Sequence, residues 1–212
     1  MILPGLPSSI SCETATPDCS HDILLTEEIS LAEKISSISR KQQFFIGRVA
    51  AHLAIKKLGL ETNIPILRTD NKTPLWPSNI LGSISHTDTL ALAAVAKKEK
   101  MLTIGVDIEA LYKADISLCN RIATENEKTC ADNNPEKILQ LFSAKEAIYK
   151  AVSPISSVTP GFKDVELAVT GDSIQVTAIA GRGLEIKALL ESLSILCFKK
   201  DDHIMSFCWK EN

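Results

Sequence analysis

Several things are scarce in this 212-residue chain, and each absence narrows what it can be. Positive charge is not in excess: 23 Lys and Arg stand against 26 Asp and Glu, a net charge of −3, so no broad basic field argues for nucleic acid. An anionic ligand must therefore be met by local basic groups. No apolar run is long enough to span a bilayer. The opening MILPGLPSSI lacks the basic start and long apolar centre of a signal peptide. Cysteines are few and unpaired in pattern: the six at 12, 19, 119, 130, 197 and 208 never form Cys-x-x-Cys. A chain of this size with 45% hydrophobic residues builds a core without staples, so reduced thiols in a cytoplasm are expected. Phosphate-loop and dinucleotide fingerprints are missing too, since Gly181-Arg182-Gly183 lacks the third glycine and the strand–helix setting. Ser85 beside His86 suggests a hydrolase, but Gly-x-Ser-x-Gly is absent, and adjacent residues on a strand point to opposite faces. A capping serine and a core histidine are the plainer reading of that pair.

What is present begins with Thr103-Ile104-Gly105-Val106-Asp107-Ile108-Glu109. Side chains alternate along a strand, so Asp107 and Glu109 share one face while Val106 and Ile108 enter a core. Adjacent carboxylates repel unless a cation or a proton lies between them. Hard oxygen ligands on a rigid strand suit Mg²⁺, which takes one or two protein carboxylates and completes its shell with water and substrate phosphates. Alone, the stretch reads equally well as an exposed acidic strand face.

A second informative piece is the helix expected over Pro135 to Val152, opened by Asn133-Asn134-Pro135. Ile138, Leu141, Phe142, Ile148 and Val152 form its apolar stripe. Glu146 and Lys150, four apart, share a face beside it. They read either as a surface ion pair or as a carboxylate for a metal or proton, with a lysine for phosphate.

Upstream, residues 1–20 are rich in Ser, Pro and Thr and read as a loose lead-in. Thr26-Glu27-Glu28 opens a short helix, where acidic first-turn residues complement the helix dipole. Arg40 to Leu60 is a second, longer helix stopped by Gly59. Gly47 inside it costs about 1 kcal/mol relative to Ala, which hints at a close approach of another group. Arg48 beside Gly47 is a candidate for an anion, whereas Lys41 reads as solvated. Asn71-Lys72-Thr73-Pro74 is a turn, and Leu90 to Ala96 a buried strand. Two hairpins are expected, one around Gly171-Asp172 and one around Lys200-Asp201-Asp202.

Four pieces occur in series: Gly47-Arg48-Val49-Ala50-Ala51; Trp76-Pro77 with Gly82-Ser83-Ile84-Ser85-His86; Gly105-Val106-Asp107-Ile108-Glu109; and Phe142-Ser143-Ala144-Lys145-Glu146-Ala147-Ile148-Tyr149-Lys150. Each is modest alone. Together, from about Leu24 to Phe162, the series resembles the 4′-phosphopantetheinyl transferases, and within them the enterobactin-synthase component D branch of the larger single-chain class. The resemblance implies transfer of the phosphopantetheine arm of coenzyme A to a serine of an acyl or peptidyl carrier protein, with release of 3′,5′-ADP. The pathways it points to are siderophore or nonribosomal peptide assembly.

It further implies Asp107, Glu109 and Glu146 as ligands for Mg²⁺ or Mn²⁺, with Glu146 also the base. Lys150 would contact phosphate, and Ser85 and His86 the 3′-phosphate end of coenzyme A. Arg40, Arg48 and Lys72 would be further basic contacts. Another acidic residue is expected near the metal, Glu127 or its neighbour Glu125. The chain departs from the branch at His52, where Arg is common. The fold implied is α/β, a pseudo-twofold pair of similar halves over 21–104 and 105–212 with the active cleft between them. A cytoplasmic monomer is expected, with no nucleic-acid partner and no membrane span. The competing readings are a non-catalytic coenzyme A or nucleotide binder of the same fold and an unrelated Mg²⁺ phosphohydrolase.

Overall fold

The computed structural model describes residues 3–61, 63–69 and 73–212. Lys72 lies outside them. The chain divides into two compact units, Met1–Ile104 with Glu211–Asn212, and Gly105–Lys210.

The first unit contains β1 (Ile10–Ala15), α1 (Thr26–Glu33), α2 (Ile38–Lys57), β2 (Leu67–Arg68), β3 (Pro74–Leu75), β4 (Ile80–His86) and β5 (Ala91–Lys97). β5 is the centre of an antiparallel sheet ordered β1-β5-β4. Its residues from Ala91 to Ala96 are all buried, as the continuous apolar run requires of a strand covered on both faces. Ile46, Val49, Ala50 and Ala54 of α2 join Ala91, Ala93 and Val95 of β5 in one core. The small alanines let the helix lie close to the strand. Ser37 caps α2 by accepting the Arg40 amide at 3.3 Å. Gly59, at φ +72°, takes the left-handed turn after the last helical residues.

The lead-in expected over 1–20 is corrected here. Residues 10–15 form β1, paired antiparallel with β5 from Ile10↔Ala96 to Ala15↔Ala91, and Cys12 is buried. The Ser, Pro and Thr of that segment suggest a loop. Pairing along the open edge of β5 satisfies its backbone groups and overrides that local preference.

β6 (Met101–Ala110) carries the chain across the division between the units. The second unit continues with α3 (Cys119–Ile122), α4 (Glu125–Ala131), α5 (Pro135–Val152), β7 (Val165–Thr170), β8 (Ser173–Ile179), α6 (Lys187–Glu191), β9 (Ser194–Lys200) and β10 (His203–Glu211). Its sheet is ordered β6-β10-β9-β8-β7. Both expected hairpins are present, with Thr170↔Ser173 and His203↔Lys200 closing the two turns. Between β6 and α5 the chain forms short 3₁₀ turns and the two small helices α3 and α4. α5 runs over the expected residues, with Pro135 at its first position and Asn134 capping the amides of Glu136 and Lys137. Ile138, Leu141, Ala144 and Ile148 of α5 pack with Val165, Leu167, Ile174 and Ile195 of the sheet.

The fold is α/β, and each unit by itself lays one long helix on an antiparallel sheet. Among the described residues no helix is long and apolar enough to cross a membrane.

Candidate active site

The site grows from the fit of β6 against α5. Gly105, Asp107 and Glu109 are alternate residues of β6 and therefore share one face. At Gly105 that face meets helix backbone. A Cβ there would collide with the Ala147 carbonyl oxygen and stand 2.5 Å from the Ala151 amide nitrogen. Glycine is required for this approach, and the approach sets Asp107 beside the last turns of α5. There Lys150 Nζ donates to Asp107 Oδ1 at 2.7 Å. Asp107 is 3% exposed, while Glu109, Glu146 and Lys150 are half-buried.

The carboxylates share one electrostatic field. Burial, then the Asp107 charge, then Glu146 push the Glu109 carboxyl up from 4.5 to about 7, against the pull of Lys113 and Lys150. Burial and Asp107 likewise raise Glu146, opposed by Lys150 and Arg121. Burial and the neighbouring Glu146 and Asp164 push the Tyr149 phenol up to about 12, so it stays protonated. The structure thus brings Asp107, Glu109, Glu146 and Lys150 into one electrostatic field. It also adds Lys113 and Arg121 to their surroundings, which the sequence reading passed over because neither belongs to a motif.

Among the described residues, no three His, Cys, Asp or Glu side chains stand close enough to enclose a metal ion. The donor chemistry still fits a hard divalent cation. Carboxylates that raise one another's proton affinity are sites where a second positive charge beside Lys150 is favourable.

Glu127 is not part of this group. It is 2% exposed, and both of its oxygens are engaged. Oε2 accepts the Thr124 amide at 2.7 Å and Lys145 Nζ at 2.7 Å, and Oε1 accepts the Leu167 amide at 2.8 Å. Lys145, 3% exposed, also donates to the carbonyls of Ile122 at 2.9 Å and Phe162 at 2.7 Å. Glu125 is exposed and pairs with Lys128 at 2.7 Å. The Lys145–Glu127 pair was missed in sequence, although Thr124-x-x-Glu127 is a capping-box signature that marks Glu127 as a helix-start residue.

In the first unit, Ser85 and His86 close β4, with Ser85 buried and His86 half-buried. Arg40 is exposed in the first turn of α2. Arg48 is placed differently from the expectation of an anion contact. It is buried, donating from Nε to the Ile66 carbonyl at 2.6 Å and from Nη2 to the Leu67 carbonyl at 3.1 Å, with its guanidinium over the Phe44 ring. Burial lowers it to about 10, which still leaves it charged. Arg68 is the exposed cation beside it, 4.7 Å from the same ring centroid and close enough to Arg40 to feel its charge. It opens onto a groove of about 460 Å³ with Lys34, Ser30 and Thr26.

His52 is fully buried, and its Nε2 stands 2.9 Å from both oxygens of Glu28. A hydrogen bond to an ionised carboxylate requires Nε2 to carry the proton. Glu28 also accepts the amides of Leu25 at 3.0 Å and Ile66 at 2.9 Å. Burial raises its pKa, but these bonds prevail and hold it below 4.5. Gly47 is explained by the Ile84 side chain, whose Cγ2 would lie 3.1 Å from an added Cβ.

Comparison with known proteins bears on the whole chain. Residues 28–96 match the 4′-phosphopantetheinyl transferase N-terminal domain, and residues 103–208 match the 4′-phosphopantetheinyl transferase superfamily. The 4′-phosphopantetheinyl transferase Svp of Streptomyces mobaraensis is 30% identical over 187 residues, covering 84% of this chain and 75% of that protein. Enterobactin synthase component D of Salmonella typhimurium is 34% identical over 140 residues, covering 60% of this chain and 54% of that protein. This chain thus spans about half the length of that relative. Among solved structures, holo-[acyl-carrier-protein] synthase of Neisseria meningitidis aligns over 53% of this chain and 99% of its own. Its TM-score is 0.43 and its identity 19%, a likeness too distant to build on.

Proposed function

The chain belongs to the 4′-phosphopantetheinyl transferase superfamily, and on that premise we propose that it transfers the phosphopantetheine arm of coenzyme A to a serine of an apo carrier protein. The carrier serine oxygen forms a bond to the β-phosphorus of coenzyme A. The bond from that phosphorus to the bridging oxygen breaks, and 3′,5′-ADP leaves with the electron pair. The serine proton passes to Glu146. Phosphoryl transfer of this kind depends mainly on positioning and charge neutralisation. The observation that carries the reading is the shared field of Asp107, Glu109, Glu146 and Lys150, built by the docking of Gly105 on α5.

Glu146 suits the base role. Burial and Asp107 raise its proton affinity towards the working pH, where a general base is most effective. Lys150, oriented by Asp107, presents its ammonium to the pyrophosphate as a compact charge. Asp107, Glu109 and Glu146 would hold Mg²⁺ or Mn²⁺. Such an ion, when bound, neutralises the pyrophosphate charge that these carboxylates would otherwise repel. Ser85, His86 and Arg40 receive the 3′-phosphate end of coenzyme A, with Lys72 a further cation. Arg48 is already bonded to two carbonyls, and Arg68 is the exposed guanidinium that we assign to the anion. We place the reaction in the cytoplasm, on a monomer, in siderophore or nonribosomal peptide assembly. The likeness to enterobactin synthase component D supports the pathway, and six scattered cysteines with no Cys-x-x-Cys pair support the compartment.

The test is intact mass of an apo peptidyl carrier protein incubated with this protein, coenzyme A and Mg²⁺. The expected outcome is a gain of one phosphopantetheine that a chelator abolishes. Coenzyme A binding without any gain on several carriers would point instead to a non-catalytic binder.

A further inference from the structure

α5 carries both Glu146 and Lys150, so its roll about its own axis decides where they point. Successive residues of a helix are turned by about 100°. Lys145 and Tyr149 therefore lie on one side and Ala147 and Ala151 nearly opposite, with Glu146 and Lys150 between them. Each flanking side is held. Ala147 and Ala151 abut Gly105 of β6. Tyr149 packs edge-on to Phe162, centroids 5.1 Å apart, and Lys145 donates to three acceptors from three segments. Those acceptors are Ile122 at the end of α3, Glu127 in α4 and Phe162 ahead of β7. A buried ammonium has three protons to place, and here all three are placed. Glu127 in turn is bonded to the Thr124 and Leu167 amides, so it cannot follow a rotating helix.

We infer that the Lys145–Glu127 pair is a positioning lock that fixes the roll of α5 and thereby aims Glu146 and Lys150 at Asp107 and Glu109. Both residues are buried, and the inference rests on the proposed transfer only for its kinetic arm. A buried ion pair of matched volume is often replaceable by neutral groups without loss of folding, which makes the lock separable from the fold. Its absence would show as displaced ligands rather than as a collapsed core. Small displacements of a reacting group cost on the order of 10- to 100-fold in rate.

The experiment uses the full chain with the double substitution Lys145→Met and Glu127→Gln, which removes both charges at nearly constant volume. Mn²⁺ alone is the probe, its affinity read by water-proton relaxation, alongside carrier modification kinetics and far-UV circular dichroism. A folded variant should bind Mn²⁺ about tenfold more weakly and lose about 10-fold or more in kcat, with KM for coenzyme A within about threefold of wild type. A folded variant that binds Mn²⁺ as tightly as wild type overturns the inference, whatever its turnover, as does wild-type protein that binds no Mn²⁺. If the double variant fails to fold, Glu127→Gln alone, which leaves Lys145 on its two carbonyls, is read by the same criteria. Wild-type protein that binds Mn²⁺ yet modifies no carrier would refute the proposed activity and leave the metal arm to decide on the lock.

Discussion

The two units solve one structural problem with the same device. In each, the third residue of a short helix is a buried glutamate, Glu28 in α1 and Glu127 in α4. Each carboxylate accepts an amide at its own helix start, Leu25 or Thr124, and an amide well downstream, Ile66 or Leu167. Each meets a nitrogen side chain from the long helix that follows, His52 of α2 or Lys145 of α5. The difference lies in what stands near that nitrogen. In the first unit the neighbour is Arg48, whose guanidinium binds the carbonyls of the same Ile66–Leu67 segment, so the device ends in structure. In the second it is Glu146, whose side chain turns away into the carboxylate group. The same arrangement thus stands beside a packing arginine in one unit and beside the carboxylate group in the other.

That comparison breaks most readily at Lys145. Lys145→Met leaves Glu127 buried and uncompensated and should cost about 3–5 kcal/mol in urea unfolding. Next comes backbone fit. Gly105→Ala drives a methyl into the α5 backbone and should cost about 2–3 kcal/mol. Gly47→Ala meets only the yielding Ile84 side chain, and the helix propensity gained offsets the contact, leaving a change of about 1 kcal/mol or less. Equal penalties at the two glycines would remove the special status of the β6–α5 contact.

The carboxylates sharpen the contrast through pH. Glu109 titrates near 7 in the folded chain against 4.5 ordinarily, so its protonated form favours the fold. That contribution is complete below pH 4.5 and is lost as the pH rises through about 7. Without added metal, Glu109→Gln should therefore stabilise the protein by about 1–2 kcal/mol at pH 8, and by much less at pH 5, in parallel melts. Glu28 has the opposite sign. Its pKa is held below 4.5, so its contribution is present above that value and lost as acid protonates it. The smallest effect is expected at Glu125→Ala. This removes an exposed, solvent-screened pair with Lys128 and should leave the urea midpoint and transfer unchanged.

Much of this was legible in the chain. The period of two placed Asp107 with Glu109, and the i, i+4 spacing placed Glu146 with Lys150, because both patterns follow from local geometry. β1 was not legible, because its pairing partner β5 lies some eighty residues away and the local Ser, Pro and Thr argue for a loop. Arg48 read as an anion contact because sequence does not show that the Ile66 and Leu67 carbonyls need a donor. Glu28 read as a helix-dipole residue for the same reason, since His52 and Ile66 reach it only in the folded unit. Gly105 stood in a recognised motif, but its steric role appears only once the α5 backbone lies against it.

The central claim is that the second unit does the chemistry through Glu146. The most direct measurement is the single-turnover rate of Glu146→Gln with saturating coenzyme A and an apo carrier, paired with calorimetric coenzyme A binding. The account predicts a rate lower by on the order of 100-fold or more, with coenzyme A affinity within about threefold of wild type. A rate near wild type would contradict it and move the base, and with it the centre of the reaction, elsewhere.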